Sequence, residues 1–295
     1  MLGGISARRR GLLLVFTATV LWSSAGFFAR LLDHLDLWTM LCGRAFFGGV
    51  FLFIAAGDEW RRGILGPPFG FGPLAPLIIA LSGVAISCYI AALKTTTVAE
   101  VMVIYATLPF VTAGLAFVVN QERTSSHTLI AAGVAFSGVV VMVASALGTG
   151  RLVGQAIAFV MTVAFGLMIV LQRRHPGMSM TSINSIGALL AAVAAFALSP
   201  HPALTPFDLV GLAIFGLATV CVAFTLFMAG AKHIPAAEAG LISMLDVVLG
   251  PLWVLLVFGE KPGPMAIVGG GLVMTALIWQ LAPDIARSRG RPLVG

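Results

Sequence analysis

Ten apolar runs of about 20 residues divide this chain, and they leave it almost no choice of solvent. They fall at 11–32, 37–56, 72–93, 99–119, 128–147, 152–172, 180–199, 207–230, 237–258 and 264–282. Short polar or Pro/Gly clusters separate them, among them "DHLD", "NQERTSS", "QRRHPG", "SPHPALTP" and "GEKPGP". In lipid every backbone polar group must find a partner inside its own segment, so each run predicts a helix. Only 9% of the residues are charged, where a soluble domain carries roughly 25%. The fold class that follows is an all-α polytopic membrane protein with ten transmembrane helices and no soluble domain. The 34 glycines and 15 prolines suit such a bundle, where small residues let helices approach closely.

The net charge of +6 does not point to nucleic acid, because the basic residues sit in short loops. Ten spans place both termini on one face. If that face is cytoplasmic, twelve Lys or Arg lie inside: Arg8, Arg9, Arg10, Arg61, Arg62, Arg123, Arg173, Arg174, Lys232, Arg287, Arg289 and Arg291. Four lie outside, namely Arg30, Lys94, Arg151 and Lys261, and Arg44 is left within a span. Such a bias predicts cytoplasmic termini. The basic-then-apolar start "ISARRRGLLLVFTATVLWSS" resembles a signal peptide, but its apolar part runs past Trp22 with no clear A-x-A site. It reads as a retained first helix.

A shift of 138 residues superposes charges in this charge-poor chain. Lys94 meets Lys232, Glu100 meets Glu238, Glu122 meets Glu260 and Arg123 meets Lys261. Nearer the front the offset is about 140, pairing Gly26 with Gly166 and Arg44 with Asn184. The chain therefore divides into repeats at 1–150 and 151–295, each with five spans. An odd number of spans makes the second half enter the membrane from the opposite side. The repeats are inverted, as in many secondary transporters, whose substrate site lies in a central cavity near the midplane.

Two stretches carry a family resemblance: "YATLPFVTAGLAFVVNQERTSSHTLIAAGVAFSGVVVMV" and "LISMLDVVLGPLWVLLVFGEKPGPMAIVGGGLVMTAL". Each resembles the EamA-type half of the drug/metabolite transporter superfamily, an apolar helix with a central proline, a Gly-Glu-Arg/Lys exit and then a Gly-rich helix. The exits here are Asn120-Gln121-Glu122-Arg123 and Phe258-Gly259-Glu260-Lys261, the first departing by its Asn-Gln. "SMLDVVLGPLW" is similar to a Leu-Glu-Pro-Val-x-x-Pro-Leu-Trp variant, with Asp246 for the Glu and Val247 for the first Pro. The resemblance is nearest to bacterial amino-acid and metabolite exporters of the YddG type. It implies a ten-helix carrier of the bacterial inner membrane, with spans one to four and six to nine lining the cavity.

Two charges lie clearly within spans, and both break the repeat. Asp246 corresponds to Leu108, and Arg44 to Asn184. A buried charge in lipid is costly and marks function by default. By helix rise Arg44 lies about 10 Å from one end of span two, and Asp246 about 14 Å from the opposite face in span nine. A guanidinium clamps a carboxylate and an aspartate accepts from an ammonium, so the pair suits a zwitterionic amino acid. The alternatives are a structural ion pair between them, or an Arg44 that snorkels outward. Proton coupling through Asp246 is a further possibility. Trp22, Ser23, Tyr89, Tyr105 and Trp253 are candidate substrate contacts, or else interfacial and packing residues. Asn184 is a candidate contact or a bridge between helices.

No cofactor, metal site or enzymatic activity is expected. Cys42, Cys88 and Cys221 stand singly, the histidines are scattered, and "GGG" at 269–271 has no phosphate-loop Lys after it. The expected partners are a small amino-acid-like metabolite and the bilayer, with no nucleic acid. The expected function is export of that metabolite by alternating access. Other cargoes on the same fold are drugs, sugars or nucleotide sugars, and a non-transporting scaffold is the alternative of a different class.

Overall fold

The computed structural model describes residues 7–61, 63, 73–121, 126–145, 150–173, 179–234 and 236–289. Glu122, Arg123, Arg62, Arg174 and Arg291, all named above, lie outside the described residues. The described residues are helical along each apolar run, with short breaks in spans one, four and nine. Span one is Ala7–Ser23 and Ala25–Leu31, span two Leu37–Arg61, span three Ala75–Thr95, span four Val98–Tyr105 and Leu108–Asn120, and span five Ser126–Ser145. Span six is Leu152–Arg173, span seven Met180–Leu198, span eight Pro206–Ala231, span nine Ala236–Ser243 and Leu245–Phe258, and span ten Pro264–Arg289. Nine of these are long and apolar enough to cross a membrane, and the tenth is apolar over Pro264–Gln280. Large apolar side chains such as Phe53, Ile54, Val193, Leu256 and Ile267 are exposed around the bundle, as lipid contact requires.

The principal helix contacts map onto themselves when the halves are exchanged. Span two packs along span seven, and span five along span ten. Span three lies against span six as span one lies against span eight, and span four meets span six as span nine meets span one. Spans four and nine meet each other. Close approaches are bought with glycine at the crossings. A Cβ on Gly216 of span eight would stand 2.5 Å from the Arg44 carbonyl oxygen and 2.6 Å from the Gly48 nitrogen of span two. Those are backbone atoms, which cannot move aside, so only glycine fits there.

Spans four and nine break at equivalent places. Span four is interrupted at Ala106–Thr107, where Pro109 offers no N–H to the preceding turn. Span nine is interrupted at Met244, which is 138 residues after Ala106, although Val247 stands where Pro109 would repeat. The break thus precedes Asp246 and survives without a proline there, while the helix runs on through Pro251. Both helices end on a left-handed residue, Gln121 at φ 57° and Gly259 at φ 69°. Gln121 therefore holds the conformation that glycine adopts more cheaply.

Candidate functional site

Span two starts on Asp36, whose carboxylate accepts from the Trp38 nitrogen at 2.9 Å and the Thr39 nitrogen at 3.1 Å. Two helical turns on, Arg44 is buried, with 6% of its surface exposed. Its Nε donates to Thr219 Oγ1 at 3.3 Å. Its guanidinium carbon lies 4.8 Å from the Phe215 ring centroid and 5.4 Å from that of Tyr89. Such faces attract a cation, more so where water is excluded. Nη1 is buried and has no hydrogen-bond partner. Arg44 therefore does not snorkel to the interface.

Thr219 lies in a π-helical stretch, Leu217–Val222, within span eight. Its origin can be read from the repeat. Where spans three and seven cross, Ile79 takes the place that Gly216 takes where spans eight and two cross, an offset of 137. Lys94 corresponds to Lys232, an offset of 138. One extra residue has therefore entered span eight between them, and the wider π turn absorbs it. Such insertions concentrate at functional sites.

Asp246 sits in the first turn of the second half of span nine, 8% exposed. Its Oδ1 is buried without a partner. Arg44 and Asp246 form no ion pair with each other, so the structural-pair alternative fails. Tyr89 lies within electrostatic range of both Arg44 and Asp246, and Tyr105 within range of Asp246. Tyr105 also meets Phe165 edge-on, with ring centroids 6.2 Å apart. Two opposite buried charges, each with an unused polar atom, thus lie within electrostatic reach of the same tyrosine.

The remaining candidates have protein partners. Trp253 Nε1 donates to Ser23 Oγ at 2.9 Å, while that hydroxyl donates to the Val20 carbonyl at 2.8 Å. Together they fasten span nine to span one. Trp22 packs on Phe227, with ring centroids 5.2 Å apart. Asn184 accepts from Ser82 Oγ at 2.8 Å and donates to the Met180 carbonyl at 3.0 Å, which is the helix-bridging arrangement. Phe215 and Thr219 escaped the sequence reading, since apolar and hydroxyl residues in a span carry no signal of which neighbour they face.

The symmetric acids anchor helix ends. Glu100 pairs with Arg151 at 2.9 Å and Glu238 with Arg8 at 2.7 Å, equivalent links in the two halves. Glu260 pairs with Arg30 at 2.6 Å and accepts from the Val98 nitrogen at 3.1 Å, capping span four of the other half. Arg30 also donates to the carbonyls of Leu93 and Thr96. Among the described residues no group of three His, Cys, Asp or Glu is arranged to hold a metal.

The profile of the EamA-like transporter family matches the chain twice, over residues 9–144 and 152–281. The chain belongs to the EamA-like transporter family. Both matches hold five of the spans described above, so the repeat seen in charges and helix contacts is also the family's repeat. A comparison with curated proteins finds no match. A solved crystal structure, titled only as that of a protein, is similar in fold. It is 20% identical, covers 95% of this transporter and 99% of its own chain, and superposes with a TM-score of 0.65. At that identity the likeness concerns the fold alone.

Proposed function

We propose that this EamA-like transporter is a secondary carrier of small zwitterionic, amino-acid-like metabolites. Arg44 Nη1 receives the carboxylate and Asp246 Oδ1 the ammonium, with Tyr89 between them and Tyr105 beside the acid. Trp22, Ser23, Asn184 and Trp253 complete the surrounding wall. The observation that carries the proposal is the pair of orphaned polar atoms on two unlike buried charges. A buried donor or acceptor without a partner costs about 1–3 kcal/mol, more when charged. A ligand that satisfies both recovers that energy. Rings of Phe215, Tyr89 and Phe165 favour an apolar side chain.

The carrier works in the bacterial inner membrane with both termini cytoplasmic, following the Lys/Arg bias. It exports its cargo by alternating access, as the inverted halves and the resemblance to YddG-type exporters suggest. Asp246 also offers a group that can take up a proton, so coupling to a proton gradient is part of the proposal. Nucleotide sugars and other phosphorylated cargo would want several buried cations, and Arg44 is the one clear charge of that sign within a span. Counterflow of a labelled amino-acid panel in liposomes tests the proposal. Exchange of apolar amino acids is the expected result. Exchange of drugs or sugars with no amino acid exchanged would replace it with the other cargoes.

A further inference from the structure

From the geometry around Arg44 we infer that Thr219 is a positioning residue, which holds the guanidinium by Nε so that its Nη end is offered to a carboxylate. The inference rests on the zwitterion site proposed above.

Thr219 Oγ1 donates to the Phe215 carbonyl in its own helix at 2.7 Å. A hydroxyl has one proton, and this one is committed. Toward Arg44 it can therefore only accept, and it accepts from Nε. The rings of Phe215 and Tyr89 lie against the guanidinium, with centroids 4.8 Å and 5.4 Å from its carbon. With Nε engaged and two rings packed against the group, the Nη end, which carries the unpartnered Nη1, is the direction left for a ligand. A free arginine can clamp a carboxylate side-on through Nε and one Nη. Here that mode is blocked, and the carboxylate must approach the Nη end. The π turn matters because it is what sets the register of Thr219 against span two. The equivalent contact in the other half, Ser82 to Asn184, joins two neutral groups. Only the half with the arginine has acquired the extra residue.

The test uses the full-length transporter in liposomes, with labelled leucine as probe and leucinamide, which lacks the carboxylate, as competitor. Thr219→Val keeps the shape and removes the acceptor. It is expected to raise the KM for leucine about tenfold, the loss of one hydrogen bond to a charged group, while kcat stays within about twofold. The preference for leucine over leucinamide should fall with it. Thr219→Ser restores the hydroxyl and should restore both values. A Thr219→Val carrier with lowered kcat at unchanged KM would mean a purely structural role and overturn the inference. So would unchanged KM and preference in that variant while Arg44→Ala loses both, and the proposed site would then survive. If the native carrier does not prefer leucine to leucinamide, the zwitterion site itself falls and Thr219 has nothing to position.

Discussion

Arg44 and Asn184 make the same cross-helix contact in opposite halves of the chain. Arg44 donates to Thr219 of span eight at 3.3 Å, and Asn184 accepts from Ser82 of span three at 2.8 Å. The amide also bonds the Met180 carbonyl, so both its oxygen and its nitrogen have a partner. The guanidinium keeps a buried nitrogen unused. A symmetric scaffold thus carries an asymmetric centre, which suits a ligand whose two ends differ in charge.

The left-handed exit at Gln121 predicts a stabilising substitution. A residue with a Cβ pays roughly 1–2 kcal/mol in this conformation, and Gln121 recovers part of it by donating from Nε2 to the Val118 carbonyl at 3.1 Å. Gln121→Gly should raise stability by about 0.5–1 kcal/mol, read as thermal unfolding of the purified protein in detergent. A lower midpoint would show that the side-chain bond outweighs the strain.

The link between Arg30 and Glu260 should be measurable as a coupling energy. Glu260→Gln keeps the acceptor for the Val98 nitrogen but removes the charge facing Arg30. A double-mutant cycle with Arg30→Met should give about 1–2 kcal/mol, in the range of charge-assisted hydrogen bonds. A coupling within about 0.3 kcal/mol of zero would reduce the pair to an ordinary surface contact.

Asp36 gives a pH-dependent signal outside the spans. Burial pushes its carboxyl up, but hydrogen bonds from the Thr39 hydroxyl and the Thr39 and Trp38 nitrogens outweigh it and hold it below its ordinary 3.8. A folded-state value below the unfolded one means stability that is present above the ordinary value and lost as pH falls through the folded one. Asp36→Ala should cost about 1 kcal/mol at neutral pH, as a lost helix cap does. The gap to the native protein should narrow as the pH falls below 3.8. An equal gap above and below that value would show that the carboxylate charge is irrelevant.

Much of the fold was legible because the bilayer fixes it. Lipid thickness sets the length of each apolar run, and charges too costly to scatter mark the repeat at Glu100, Glu238 and Glu260. Arg44 and Asp246 stood out for the same reason. What could not be read was who faces whom. That Ser23 and Trp253 bond each other across spans one and nine could not be read from either residue alone. The break at Met244 has no proline to announce it. Thr219 reaches Arg44 from a span read as regular helix, in which one extra residue forms a π turn that no local composition betrays.

The most direct measurement compares leucine, leucinamide and 4-methylpentanoate as competitors of labelled leucine counterflow in the native carrier, Arg44→Ala and Asp246→Asn. The native carrier should prefer leucine to both analogues. Arg44→Ala should lose its preference over the amide, and Asp246→Asn its preference over the acid that lacks the ammonium, each by about tenfold or more. Native-like counterflow in both variants, with both preferences intact, would contradict a clamp built from these two charges.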